Sequence, residues 1–140
     1  MRHRVYLDSD VIVSSLLSNT GAAYFLLHQS QQDLFISNYS KKELELVVNR
    51  LEISKNDLDQ LIQTLSLVKL DQSIDEIKEQ YKNYVVDPDD AHIIAGAVAA
   101  GPRFLITYNL KHYRVELIKR DFNILILTPA LFLQYLRSQL

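Results

Sequence analysis

DPDDAHIIAGAVAAGPRFLITYN, residues 87–109, opens with three carboxylates in four positions, continues as an almost wholly apolar run, and ends in a strand-like segment closed by Thr107 and Asn109. Pro88 suits the first position of a helix, and Asp87 before it suits the N-cap. Asp89 and Asp90 then fall in the first turn, where the helix dipole favours negative charge. Capping accounts for Asp87 and Asp89. Asp90 is different, because at about 100° per residue it shares one face with Ile93, Ile94 and Ala97. A carboxylate on the apolar face of a buried helix is costly unless something charged sits beside it. His92, the main polar group on the helix, points away from the Asp90 face and reads as structural or solvent-facing rather than as a ligand.

Outward from this stretch, apolar runs and helical periodicities alternate. Arg4–Leu7 reads as a strand that stops at Asp8-Ser9-Asp10, with a helix from Val11 to Leu17 and another from Ala22 to Gln31. Leu34-Phe35-Ile36 is the next strand, ending at Ser37 and Asn38. Leu44, Val47, Val48 and Leu51 then have helical spacing, as do Leu58, Leu61, Ile62 and Leu65 behind a cap at Ser54 or Asn56. Leu67–Leu70 is a brief strand, and Ile74 to Val85 a helix. After Gly101-Pro102 come a strand over Arg103–Ile106, a basic segment Lys111–Arg120 with a short helix, a strand over Asn123–Leu127, and a helix from Thr128-Pro129 through Leu136. Strands alternating with helices imply βαβ units, hence a three-layer α/β/α fold with a mainly parallel sheet.

With 140 residues, the chain is expected to form a single domain over residues 1–140. Hydrophobic residues make up 48% and charge is near average, so the composition is that of a folded protein. There is no cysteine, which excludes a disulfide framework, thiol catalysis and a cysteine-ligated zinc site, and makes a cytoplasmic location the default expectation. No apolar run approaches the roughly 20 residues that span a bilayer, so no membrane partner is expected. The basic start, MRHRVYLD, enters a strand without the apolar core of a signal peptide. A formal charge of -2 gives no global attraction to nucleic acid, so any such binding must rest on a local patch.

Ligands of open α/β sheets bind beyond the carboxyl ends of strands. Asp8 and Asp10 follow the first strand, Ser37 the second, and Thr107 and Asn109 the fourth, while Asp90 heads the helix leading into that strand. Singly, Asp8 reads as an N-cap, Asp10 as an exposed first-turn acid and Asn109 as a turn residue. Together they gather acids at one edge with no basic partner inside it. Clustered carboxylates repel unless a cation neutralises them, so a hard divalent metal is the economical inference. Glu43 and Glu45 flank the apolar stripe of their helix on opposite sides, and the helical wheel does not choose between them.

Four runs, VYLDSD, FISNYSKKEL, DPDDAHIIAGAVAAG and FLITYNLKHY, resemble in order the motifs of PIN-domain nucleases, within them the VapC-like toxin branch and its relatives. The resemblance covers nearly the whole chain and implies a five-stranded sheet in the order 3-2-1-4-5, with strands one and four adjacent. It implies a metal-dependent endoribonuclease in which Asp8 and Asp90 hold Mg²⁺ or Mn²⁺ and Glu43 and Asn109 bind directly or through water. Glu43 is selected over Glu45 by its place after the FIS strand end and Ser40. Asp10, Ser40 and Thr107 are expected around these ligands. Asn109 departs from the family pattern, since many members carry Asp there, whereas Asp10 stands where many have Asn. Lys111, His112 and Arg114 just beyond are candidates to hold RNA phosphates, as are Lys41 and Lys42 beside Glu43. The implied partners are an RNA substrate, a small antitoxin protein and, as is common in the family, a second copy in a homodimer.

Two other readings compete. A PIN module weakened in catalysis would keep the fold and only bind RNA or a protein, and Asn109 motivates it. A haloacid-dehalogenase-like phosphohydrolase also opens with an Asp-x-Asp after a strand, and Ser37 would mimic its second motif. Against it, Asp89 and Asp90 start a helix instead of following a strand, and the chain leaves no room for a cap domain.

Overall fold

Alternation along the first strand sets the layering. The computed structural model describes residues 2–140. In β1 (Arg4–Leu7), Val5 and Leu7 point to one face of the sheet and Tyr6 to the other, and all three are fully buried. A strand apolar on both sides needs cover on both sides. One cover comes from α1 (Ser9–Leu17), α2 (Ala22–His28), α3 (Asn38–Arg50), α4 (Lys55–Gln63) and α8 (Pro129–Ser138), whose Ile12, Leu26, Leu44, Leu58 and Phe132 pack with Val5 and Leu7. The other comes from α5 (Ile74–Tyr81), α6 (Ala91–Ala100) and α7 (Val115–Phe122), whose Ile77, Ile93 and Ile118 pack with Tyr6.

The remaining strands are β2 (Asp33–Ser37), β3 (Ser66–Val68), β4 (Phe104–Ile106) and β5 (Leu125–Leu127). The order is β3-β2-β1-β4-β5, as the resemblance implies, and every pairing is parallel. Val5 pairs with Leu34 on one side and with Phe104 on the other, so β1 and β4 end level with each other. The loops leaving them, at Asp8 and Thr107, therefore emerge side by side.

Several boundaries differ from the sequence reading, each for a local reason. Asp87 does cap, accepting from the Asp89 amide at 2.9 Å, but it caps a 3-10 turn over Pro88–Asp90 rather than α6 itself. Asp90 then occupies the N-cap of α6 with its side chain uncommitted to capping. Asp89 does not cap; it pairs with Lys78 at 3.0 Å. α1 starts at Ser9 because Asp8 caps it, and α2 ends at His28, three residues early, with Ser30 Oγ donating to the Leu26 carbonyl at 2.6 Å and Gln31 in the left-handed region (φ 60°). The helix expected to reach Val85 tightens into a 3-10 turn at Lys82–Tyr84, leaving Val85 to bridge to Tyr113. The basic segment divides into a 3-10 turn at Leu110–His112 and α7, while Asn123, left-handed at φ 57°, ends α7 instead of opening β5.

α6 carries alanines and a glycine because it lies directly on the sheet. Gly101 ends it in the left-handed conformation (φ 66°), returning its amide to the Ala97 carbonyl at 3.1 Å. Among the described residues, no single helix is long and apolar enough to cross a membrane.

Candidate active site

Asp8 is fixed from three directions. The Ser9 amide donates to Oδ1 at 2.7 Å, the N-cap bond that starts α1. Thr107 Oγ1 donates to Oδ2 at 2.9 Å, and Tyr113 Oη donates to the same oxygen at 2.6 Å. Asp8 is thus both cap and site residue. Tyr113 did not stand out in the sequence, where it belongs to a basic segment. Burial first, and then the Asp8 charge, hold its phenol far above its ordinary pKa, so it stays a donor. Charge-assisted bonds of this kind contribute about 1.5–3 kcal/mol. Tyr113→Phe should therefore lower the urea midpoint by the equivalent of about 1–2 kcal/mol, part of the loss being recovered by water reaching Asp8. An unchanged midpoint would show that the bond contributes nothing net.

Asp10, two residues on, faces the chain leaving β4. Its Oδ2 accepts from Asn109 Nδ2 at 2.9 Å, from the Tyr108 amide at 3.1 Å and, at 3.3 Å, from the Thr107 hydroxyl it shares with Asp8. Thr107 Oγ1 in turn accepts the Asn109 amide at 3.1 Å. The exposed acid expected from sequence is in fact half-buried. The adjacency of β1 and β4 brings Asn109 to Asp10 rather than to Asp8.

Glu43 and Asp90 complete the group from the other side. Glu43 Oε2 meets His92 Nε2 at 3.2 Å. An ionised carboxylate only accepts, so Nε2 carries the hydrogen. This hydrogen bond, outweighing the opposing effect of burial, lowers the Glu43 pKa. His92 is therefore not solvent-facing: it is buried, and it reaches across to Glu43 from α6. A single-helix wheel shows faces but not reach between elements, so its link to Glu43 was missed. Asp90 Oδ2 lies 3.7 Å from His112 Nδ1. Glu45 lines a different hollow, with Leu46 and Lys55.

Asp8, Asp10, Glu43, Asp90, Asn109 and His112 line one open cleft of about 520 Å³. A larger hollow, about 770 Å³ between α1, α2 and α4, holds Asp57 as its one carboxylate and offers no comparable chemistry. Ser40 is fully buried, its amide donating to the Ser37 hydroxyl at 3.1 Å as part of the α3 cap, and it does not line the cleft. Ser37 is equally enclosed in that cap, which removes it as a catalytic motif. Lys42, Lys111, Arg114 and Lys119 are exposed, and none of them lines the cleft.

Burial and then neighbouring charge act on the acids. Burial, and next the charge of Asp8, push the Asp90 carboxyl up to about 6; the same two causes raise Asp10. The sign for stability follows. An acid whose folded pKa lies above its unfolded value binds its proton more tightly when folded, so stability falls as pH rises from about 4 through about 6. Glu43, shifted downward, acts in the opposite sense but below its ordinary value of 4.5. Metal-free protein should accordingly gain thermal stability between about pH 7.5 and about pH 5, and Asp90→Asn should flatten that gain. A wild-type profile as flat as the variant's would contradict the placement of these charges.

Hard oxygen donors from four carboxylates suit Mg²⁺ or Mn²⁺. One observation favours the fit: Asp10 Oδ1 is buried with no hydrogen bond to it, and the Val11 amide near this carboxylate is already donated to the Asp8 carbonyl at 3.2 Å. Another limits it, since among the described residues no three acidic or histidine side chains already stand close enough to hold an ion together. Small side-chain rotations would be needed to gather them on one ion.

A family model described as "PIN domain" matches residues 4–111. Among solved structures, the chain is similar to one in VapBC2 from Rickettsia felis bound to a DNA fragment from its promoter (TM-score 0.62, 19% identity, covering 89% of this chain and 98% of that one). It is equally similar to one in a toxin-antitoxin complex from Klebsiella pneumoniae (TM-score 0.62, 20% identity, 89% and 97% covered). At these identities the likeness is one of fold. No curated protein matches.

Proposed function

The chain belongs to the PIN domain family, and from that premise we propose that it is a metal-dependent endoribonuclease. The observation that carries the proposal is the meeting of Asp8, Asp10, Glu43 and Asp90, from three places in the sequence order, in one cleft at the carboxyl edge of the sheet. Asp8, Glu43 and Asp90 would hold Mg²⁺ or Mn²⁺, with Asn109 beside them in the same cleft. When bound, such an ion acidifies water and offsets charge on the phosphate under attack.

The chain's own groups do the positioning. Ser9, Thr107 and Tyr113 hold the Asp8 carboxylate in place, and His92 holds Glu43. His112 at the cleft and the exposed Lys111 and Arg114 beyond it would receive RNA phosphates, an attraction that weakens with salt. Water would add to phosphorus while the ester oxygen leaves with a proton, with no protein nucleophile involved. Purified chain with millimolar Mn²⁺ should cut single-stranded RNA into fragments, and chelator should stop it. RNA left intact with Mn²⁺ present would overturn the proposal.

Asn109 favours a second reading, a PIN module that binds RNA or a protein without cutting. It predicts retention of RNA at low salt with no fragments under the same conditions. That the structural neighbours are toxin-antitoxin complexes supports, as a proposal, an antitoxin partner for this chain, with a homodimer and a cytoplasmic location as accompanying expectations.

A further inference from the structure

Asn109 and Asp10 form a hydrogen-bonded pair, and their geometry assigns them different duties. Asn109 Nδ2 donates to Asp10 Oδ2 at 2.9 Å. The opposite amide orientation would set Oδ1 against that carboxylate oxygen, two acceptors with no hydrogen between them, so the chemistry fixes the amide. With the Tyr108 amide and the Thr107 hydroxyl, three donors from the turn after β4 grip Oδ2 alone. Oδ1 has no hydrogen bond and is buried, in a residue that lines the same cleft as Asp8, Glu43 and Asp90. A first-turn acid serving only the α1 dipole would sit in water, where both oxygens are solvated at no cost. This one is turned inward, held by one oxygen, and left with the other unsatisfied.

We infer that Asp10, and not Asn109, supplies the fourth carboxylate of the cation site, and that Asn109 is a positioning residue that orients it; the inference rests on the metal-site reading above. The fourth carboxylate then comes from the first turn of α1, and the amide after β4 holds it. Because β1 and β4 end level, this arrangement places four carboxylates in the cleft.

Mn²⁺ binding, followed by the paramagnetic resonance of the free ion, tests this without any cleavage assay. Asp10→Asn should weaken Mn²⁺ binding about tenfold or more, since affinity at such sites follows the count of charged ligands. Its metal-free melting temperature should stay level or rise, because a like charge has been removed. The double exchange, Asp10→Asn with Asn109→Asp, should restore binding to near the wild-type affinity. Binding by Asp10→Asn equal to wild type, while Asp8→Asn and Asp90→Asn lose it, would overturn the assignment and leave the cation site standing. Weakened binding with a lowered metal-free melting temperature and no rescue by the exchange would also overturn it, making Asp10 structural. A wild-type chain that binds no Mn²⁺ would overturn both the assignment and the reading beneath it.

Discussion

Asp8→Asn should lose more than about 100-fold of Mn²⁺-dependent RNA cleavage while keeping its fold. The scale follows from position: removing an outer partner of a metal ligand typically costs 10–100-fold, and a ligand should exceed that. The intact fold follows from the other duty of Asp8. Asn caps a helix about as well as Asp, so the Ser9 amide keeps its acceptor and α1 its start. The hydroxyls of Thr107 and Tyr113 can rotate to meet an amide in place of a carboxylate oxygen. Far-ultraviolet circular dichroism and melting should therefore match the wild type closely while fragments disappear. Cleavage surviving at wild-type rate would remove Asp8 from the chemistry, and collapse of the fold would show that its structural duty dominates.

The largest expected effect on stability lies away from the cleft, where α6 crosses β1. A Cβ added at Gly96 would stand 2.0 Å from Tyr6 Oη and 2.5 Å from Tyr6 Cζ. Tyr6 is fully buried and has no room to retreat. Alanine in place of a helical glycine ordinarily stabilises by about 1 kcal/mol. Overpacking a tight core costs typically 1–3 kcal/mol and sometimes more, and contacts this short belong at the upper end. Overpacking wins. Gly96→Ala should lower stability by about 2 kcal/mol net, a fall of several degrees in melting temperature. Adding Tyr6→Phe, which removes the hydroxyl but not the ring, should recover part of it. A Gly96→Ala variant that melts at or above the wild-type temperature would show that α6 can lift from the sheet cheaply.

These expectations separate what a sequence carries from what only a fold supplies. Asp90 was legible because a carboxylate on an apolar face conflicts with burial, and the conflict is local. Asp8 was legible because it follows an apolar strand, although its capping bond and its place in the cleft are not alternatives, as the sequence suggested, but coexist. The choice of Glu43 over Glu45 needed more than a wheel, since the two flank one stripe; in the structure Glu43 lines the cleft and Glu45 a separate hollow. His92 and Tyr113 were not legible. Each has a packing explanation of its own, His92 within α6 and Tyr113 between the 3-10 turn and α7, and each acts on a residue at least 49 positions away. The bond between Asn109 and Asp10 depends on β1 and β4 being neighbours, which the family resemblance implied and local periodicity could not.

Boundaries show the same division. Where a side chain can satisfy the backbone within its own turn, the cap is local: Thr128 caps as expected, and of Ser54 and Asn56 it is Ser54 that caps α4. Where tertiary pairing intervenes, as at Val85 bridging Tyr113, the helical pattern ends early.

Calorimetric titration of Mn²⁺ into the metal-free chain near neutral pH tests the central claim most directly. A carboxylate cleft that serves as a divalent-cation site predicts saturable binding to the wild type, lost in Asp90→Asn and weakened in Glu43→Gln. Wild-type protein that is folded and releases no binding heat across the millimolar range, at more than one temperature, would contradict it.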